Sequence, residues 1–266
     1  MKLKIGEALA EVGERMRRDG GKFLTIALAF TLMPTLLVGL RFPQGPKADD
    51  TIWLPLLSVV VILGFVGHAA IQRLTYGTGE QIGQAVRASG RPALRVLAAV
   101  VLLFLPVAIL IVPFIPGYQS GDPALQGPAA TAMMLILLIA LFPLSRMLLL
   151  QPAAAIEKGS FFGLFRRSWQ LTRGNSWKLY GLVLLFLVLL ALISTVAQQA
   201  LGSVVLLALG QPKAWSVSAL LLSLLTQLAQ MAVTLPFVML LARLYAQATT
   251  VAAPASIPDA DAGERS

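Results

Sequence analysis

The chain has 266 residues, of which 57% are hydrophobic and only 12% are charged. Because a soluble domain carries about 25% charged residues, this composition excludes an ordinary soluble protein. The net charge of +9 does not indicate nucleic acid, since the cations are confined to alternate connections between apolar runs. There is no cysteine, which excludes a disulfide framework and a thiolate site.

The chain starts with a charged segment, residues 1–22, followed by an apolar run near 23–41. Apolar residues recur in the charged segment at steps of three and four: Met1, Ile5, Leu9, Val12 and Met16. This spacing predicts an interfacial helix near residues 2–18 that lies among lipid headgroups. The segment contains four acids and is too long for a signal-peptide n-region, so we predict that the first span is retained.

Five further apolar runs follow, and each approaches the roughly 20 residues that a helix needs to cross the hydrocarbon. They show none of the alternation of a membrane β-barrel. The sequence therefore predicts an all-α polytopic protein with six transmembrane helices in residues 1–246. Residues 247–266 are polar and are predicted to form a disordered tail. The remaining spans are predicted near 52–72, 95–116, 129–150, 178–199 and 216–245.

Lysine and arginine divide sharply between the connections. Fifteen lie before the first span and in the second-to-third and fourth-to-fifth connections, against three in the other connections. This positive-inside bias predicts that both termini are cytoplasmic. The three on the other side are Arg41, Lys47 and Lys213.

The basic segments share a short pattern. Each begins with an apolar-Gly pair, in IGEAL at 5–9, IGQAV at 82–86 and FGLFR at 162–166, and each reaches a glycine and a cation before its span. We predict three repeated units, each an interfacial helix (near 2–18, 80–90 and 160–173) plus a two-span hairpin. Coincidence is the alternative, because any entry to a membrane favours these residue types.

The third basic segment is the richest in aromatic and cationic residues. Phe161, Phe162, Phe165 and Trp169 are predicted to form its apolar stripe, and Gly174-Asn175 is predicted to end the helix. Tryptophan and tyrosine are favoured at headgroup level, so the segment is interpreted first as an anchor. Its cations are alternatively a site for anionic lipid. The possible headgroup contacts are Arg166, Arg167, Arg173, Lys178, Trp169 and Trp177.

A family resemblance rests on this region. The chain resembles a bacterial membrane-domain family that occurs fused to glycerophosphodiester phosphodiesterases and as stand-alone six-span proteins. The resemblance implies a multi-pass protein of a bacterial inner membrane, but it supplies no chemistry for the membrane domain itself. The Leu244-Tyr245 pair is similar to the family's ending, although Ala-Gln follows it here. The other matching positions are Pro152, Glu157, Ser168, Trp169, Leu171, Thr172, Gly174 and Trp177.

Catalytic patterns are weak. A phosphodiesterase would need a further barrel of about 250 residues with histidine and carboxylates around a metal, and this chain has one histidine, His68. No Asp or Glu lies inside a predicted span. We therefore predict that the chain is not an enzyme and has no catalytic, cofactor or metal site.

Polar residues of the sixth span form a stripe at Ser223, Gln227, Gln230 and Thr234. Hydrogen bonding between helices is the common use of such groups, and a hydrophilic path along the fifth and sixth spans is the alternative. Two functions follow. The first is a non-catalytic protein that organises lipid or supports an unknown membrane partner through its basic interfacial helices. The alternative is a small solute transporter.

Overall fold

The computed structural model describes residues 3–43, 45, 50–157 and 159–252. In this part of the chain, six helices are long and apolar enough to cross a membrane, which confirms the predicted all-α, six-span architecture. The spans are α1 (Ile5–Arg41), α2 (Trp53–Tyr76), α3 (Ile82–Gln119), α4 (Pro123–Arg146), α7 (Ser176–Leu209) and α8 (Val217–Ala252), and two shorter helices are α5 (Leu150–Ile156) and α6 (Phe161–Thr172).

Local signals fix several helix ends. Asp122 begins α4, where its side chain accepts a hydrogen bond from the backbone of Ala124 at 2.9 Å. Gly77 ends α2 with a φ of +100°, a left-handed conformation that glycine adopts without steric cost. Leu, Val, Ile and Ala fill the interiors, where bilayer hydrocarbon is their natural solvent.

The first two basic segments are not separate helices. A single helix, α1, runs through Gly20 and Gly21 from Ile5 to Arg41, and α3 is likewise continuous from Ile82. At 37 residues, α1 is about 55 Å long, whereas hydrocarbon is about 30 Å thick. Its predicted apolar stripe also differs, because Val12 is buried in the protein core while Leu9 is exposed.

The third basic segment alone forms a helix of its own, α6. The three units therefore differ in the structure, and the repeat stays a prediction. The predicted tail also needs a correction, because α8 continues to Ala252. The hydroxyls of Thr249 and Thr250 bond back to carbonyls of this last turn, and residues 253–266 lie outside the described part.

Buried side chains concentrate at one end of the bundle. This basic end comprises the starts of α1, α3 and α7, the ends of α2, α4 and α8, and the whole of α5 and α6. The small residues Ala153, Ala154 and Ala155 let α5 fit into the centre of it. The opposite half exposes long apolar side chains, as expected where lipid is the solvent. The basic end is thus the most closely packed part of the fold, and it carries the predicted headgroup residues.

Candidate functional site

The helix α6 is held at both ends by its own sequence. Ser160 precedes it, and its side chain accepts a hydrogen bond from the backbone of Gly163 at 3.3 Å. The helix ends at Thr172, and Gly174, with a φ of +86°, turns the chain into α7. The predicted end of this helix at Gly174-Asn175 is therefore close to the observed one.

Two hydroxyls of α6 bind the end of α4. Ser168 Oγ donates to the carbonyl oxygen of Arg146 at 2.9 Å. Thr172 Oγ1 lies 3.2 Å from the same oxygen and 2.9 Å from the carbonyl oxygen of Ser168 in its own helix. The last carbonyls of a helix lack partners within it, and these buried hydroxyls supply one. They fix the position of Arg146 relative to α6.

The guanidinium of Arg146 lies against aromatic rings. Its Cζ is 4.5 Å from the ring centroid of Trp169 and 5.6 Å from that of Phe142, within the range of a cation–π contact. Phe142 in turn contacts Trp177 and Tyr180, at centroid distances of 5.1 and 6.1 Å. We call these five residues, Phe142, Arg146, Trp169, Trp177 and Tyr180, the corner site.

The corner site keeps unused hydrogen-bonding capacity. Among the described residues, Arg146 Nε is buried and has no hydrogen-bond partner. Arg166, Arg173 and Lys178 are exposed around it and form no ion pair with any described residue. Together these groups present positive charge beside aromatic rings, which is the combination found where proteins meet lipid headgroups.

The exposed face of α6 differs from the predicted stripe. Phe162, Arg166, Trp169 and Arg173 are exposed and follow one another at steps of four, three and four, so cations and rings share a face. The buried residues are instead Leu164, Ser168, Leu171 and Thr172. The side chain of Phe161 lies outside the described part. Trp177, 75% exposed, projects beside this face.

Arg167 differs from the other predicted cations in its contacts. It is half-buried, and its Nε lies 3.5 Å from Glu157 Oε1. The hydroxyl of Tyr245 donates to the same carboxylate oxygen. Arg167 thus stabilises the junction of α5, α6 and α8 and is less accessible to a ligand than Arg166 or Arg173.

The polar stripe of α8 makes helix contacts. Gln230 Nε2 donates to Ser194 Oγ of α7 at 3.1 Å, and Thr234 Oγ1 donates to its own helix at Gln230. Ser223 packs on Gly39 of α1, where an added Cβ would come within 2.4 Å of Ser223 Oγ. Gln227, half-buried, belongs to the same stripe.

Sequence reasoning missed two residues. Arg146 lies near the end of a span, where a cation complements the helix dipole and can reach phosphate, but its contacts with Trp169 and Phe142 were not predicted. Gln151 was overlooked between apolar neighbours. In the structure it accepts a hydrogen bond from the fully buried Gln72 at 3.3 Å, and its own Nε2 is buried without a partner among the described residues.

Comparison with known proteins identifies the family. Residues 125–259 match the sequence profile described as the membrane domain of glycerophosphoryl diester phosphodiesterase. This match covers just over half of the chain. The chain belongs to this family, which confirms the resemblance seen in the sequence. No curated protein and no solved structure matched the chain.

The positions that carried the resemblance divide into two sets. Pro152, Ser168, Thr172 and Tyr245 are buried and hold α4, α5, α6 and α8 together. The two tryptophans of the motif, Trp169 and Trp177, are exposed. The motif therefore describes a buried framework that presents an aromatic and cationic surface.

Proposed function

We propose that the chain is a non-catalytic multi-pass membrane protein that binds anionic lipid headgroups at the corner site. In this way it organises lipid, alone or beside a partner membrane protein. The observation that carries the proposal is the arrangement of Arg146. Its guanidinium lies against two aromatic rings, while its Nε has no partner among the residues that the structure describes. A phosphate oxygen is the natural acceptor for such a group.

The surrounding charge supports an anionic ligand. Each cation near a membrane surface contributes about 1 kcal/mol of attraction to anionic lipid. Arg166, Arg173 and Lys178 are exposed on α6, just after it and at the start of α7, and none is neutralised by an ion pair within the described residues. The attraction is therefore about 3 kcal/mol at most at low salt, and it weakens as salt screens it.

The proposal places this face in the cytoplasm of a bacterial inner membrane. The fifteen-to-three division of cations supports that orientation. The inner leaflet is also the side with the negative surface potential that basic segments bind. Both arguments put the corner site where anionic headgroups are available.

Absence of catalysis is part of the proposal. His68 lies beside Thr31, Met231 and Leu235 in a small apolar pocket between α1, α2 and α8, and it takes no part in the corner site. In the described ranges, no group of three His, Cys, Asp or Glu residues is placed to hold a metal ion. These observations support a binding role.

The transporter alternative finds less support. Gln230 is bonded to Ser194, and Ser223 packs tightly on Gly39. Groups engaged in this way stabilise helix contacts and offer little to a passing solute. We therefore favour the lipid-binding function.

The test compares two triple variants. Arg166, Arg173 and Lys178 are changed to Gln in the first, and the exposed Arg17, Arg87 and Arg91 of the same end are changed to Gln in the second. Both lose three charges, but only the first removes them around the corner site. We expect the first to lose most of its retained phosphatidylglycerol at low salt, and the second to keep it. Equal retention in the two variants would contradict the proposal, because the cations around the corner site would then serve only to orient the protein in the membrane.

A further inference from the structure

A large apolar cavity lies beside the corner site, on another side of α4. Its volume is about 890 Å³, and its wall comes mainly from α3, α4 and α7, with Phe65 of α2 and Phe237 of α8 behind. This is near the upper end of the roughly 300–1,000 Å³ of ligand pockets. It is therefore large enough to hold a lipid chain.

The cavity opens toward hydrocarbon. Phe104, Met134 and Val188 line it and are also exposed on the lipid-facing surface. At the basic end it is closed by Leu148 and Leu150, which join the buried core. A molecule can thus enter the cavity sideways from the bilayer.

One polar group lies in this apolar wall. Gln151 lines the cavity at its closed end, and its Nε2 is buried and has no hydrogen-bond partner in the described part of the chain. A buried donor without a partner costs free energy, and an oxygen atom of a ligand would remove that cost. The position is close to the end of α4, where Arg146 marks the headgroup level.

We propose that the cavity holds one acyl chain of a glycerophospholipid, with an ester oxygen of that lipid accepting a hydrogen bond from Gln151 Nε2. The proposal rests on the proposed function and deepens it, because it names the lipid class and the seat of its chain. Charge agrees, since Arg95 lies beside Val96 and Leu150 of the cavity wall and favours the headgroup of an anionic lipid there. The lipid enters from the hydrocarbon between α3 and α7.

The polarity of the cavity favours a lipid chain. Among the residues that the structure describes, those that line it are apolar except for Gln151, which lies at one end. An acyl chain has the same distribution, because it is apolar along its length and carries an ester group at one end.

The experiment uses the full chain in nanodiscs of phosphatidylcholine containing a phosphatidylglycerol with a photoactivatable diazirine in one acyl chain. Leu184→Trp fills the cavity, because Leu184 lines it. Leu185→Trp is the matched control on the next residue of α7, which is 63% exposed and does not line the cavity. We expect cross-links on the cavity walls of α3, α4 and α7. Leu184→Trp should lower their yield about tenfold, and Leu185→Trp should leave it unchanged.

The hydrogen bond is tested separately. Gln151→Leu should lower the same yield several-fold, whereas Gln126→Leu, a change at an exposed residue of α4, should not. Thermal unfolding of each variant establishes that it is folded. Uniform labelling of all lipid-facing helices, or equal yields for Leu184→Trp and Leu185→Trp, would overturn the inference.

Three other outcomes are distinguished by these experiments. Cross-linking of the cavity wall to a second copy of the chain, with no lipid adduct, would also overturn the inference. If the cavity fails these tests while the corner variants still lose phosphatidylglycerol, the inference falls and the proposed function stands. If lipid retention is insensitive to the corner cations but the cavity labels as expected, the corner site of the proposed function falls and the inference about the cavity stands.

Discussion

The phenol of Tyr245 lies at the junction of α5, α6 and α8, where it donates a hydrogen bond to the Glu157 carboxylate. The ring itself is fully buried. Arg167 approaches the same oxygen, so one carboxylate joins a residue of α6 to a residue of α8. A short chain of polar contacts therefore stabilises the framework under the corner site.

The first prediction concerns this hydroxyl. Tyr245→Phe keeps the ring but removes the donor, and a hydrogen bond to a charged group contributes about 1.5–3 kcal/mol. We expect the free energy of unfolding in detergent to fall by that amount. Tyr118→Phe, at a half-exposed tyrosine on the opposite side, is the control and should change it by less than about 0.5 kcal/mol. Equal effects would show that the Glu157 contact adds nothing.

The second prediction concerns pH. Hydrogen bonds from Arg73 lower the pKa of the Glu80 carboxyl below its ordinary value of 4.5, against the opposing effect of partial burial. Since this pKa is depressed in the folded protein, the pair stabilises it fully above about pH 4.5, and that contribution is lost as pH falls through the lower folded value. The same guanidinium donates to the carbonyl of Ala155 at 2.5 Å, so the pair also positions α5.

Comparison of the wild type with Glu80→Gln measures this contribution. The wild type should unfold at a higher temperature at pH 7, and the difference should shrink as the pH falls below about 4.5. Glu14→Gln, at an exposed acid without an ion pair in the described residues, should show no such trend. A difference that stays constant from pH 7 to pH 3 would contradict the role of the ion pair.

Sequence reasoning could find only those residues whose pattern is formed by close neighbours in the chain. Arg166, Trp169 and Trp177 are grouped within a dozen positions, so local pattern was enough to find them. The contact of Glu157 with Tyr245 joins residues 88 positions apart, and no local period reports it. Gln151 was missed because a lone amide between apolar residues has no pattern until the cavity next to it is known.

At the scale of elements, two glycines allow close helix contacts with α1. A Cβ added to Gly67 of α2 would come within 2.6 Å of Phe30 Cβ, and Gly39 is similarly close to Ser223 of α8. Small residues at such crossings let helix backbones approach in a membrane. The contacts hold the first, second and sixth spans together.

The third prediction tests one crossing. Gly67→Ala should destabilise the protein by about 1–3 kcal/mol, because a Cβ cannot rotate away and the helices must shift. Gly64→Ala on the same helix has open space around the added atom and should be neutral or slightly stabilising, since alanine favours helix more than glycine does. Thermal unfolding in detergent distinguishes them. Similar melting temperatures for the two variants would contradict the prediction, because the helix crossing at Gly67 would then have room for the added Cβ.

Apolar periodicity predicts a helix and its apolar face, but it does not show where the helix ends or what covers that face. The apolar spacing of residues 5–16 predicted a separate interfacial helix, whereas this segment is the first part of the long helix α1. It packs partly on protein, with Ala8 and Val12 buried, because α1 continues without a break past Gly20 and Gly21. For α6, the turn glycine Gly174 was visible in the sequence, and the end of the helix was placed close to where it lies.

The whole molecule combines a closely packed basic end with a membrane-embedded half that exposes long apolar side chains. Hydropathy alone predicts the six spans, because length and composition decide them. Packing between the spans depends on distant partners, so the cavity between α3, α4 and α7 was not predictable.

The fourth prediction concerns orientation. Reporter fusions after residues 85 and 170 should report the cytoplasm, and fusions after residues 45, 122 and 210 the opposite side, because the cations divide fifteen to three. Enzymatic reporters that are active on one side only give the measurement. A reversed pattern would place the corner site on the wrong leaflet for the proposed lipid.

Native mass spectrometry of the wild-type protein, released from membranes of phosphatidylethanolamine and phosphatidylglycerol, tests the central claim most directly. We predict that the protein retains phosphatidylglycerol in a fixed ratio, that the lipid leaves as salt rises, and that its mass is unchanged after prolonged incubation. A bound small polar solute in place of lipid, or a hydrolysed lipid product that accumulates with time, would contradict the account.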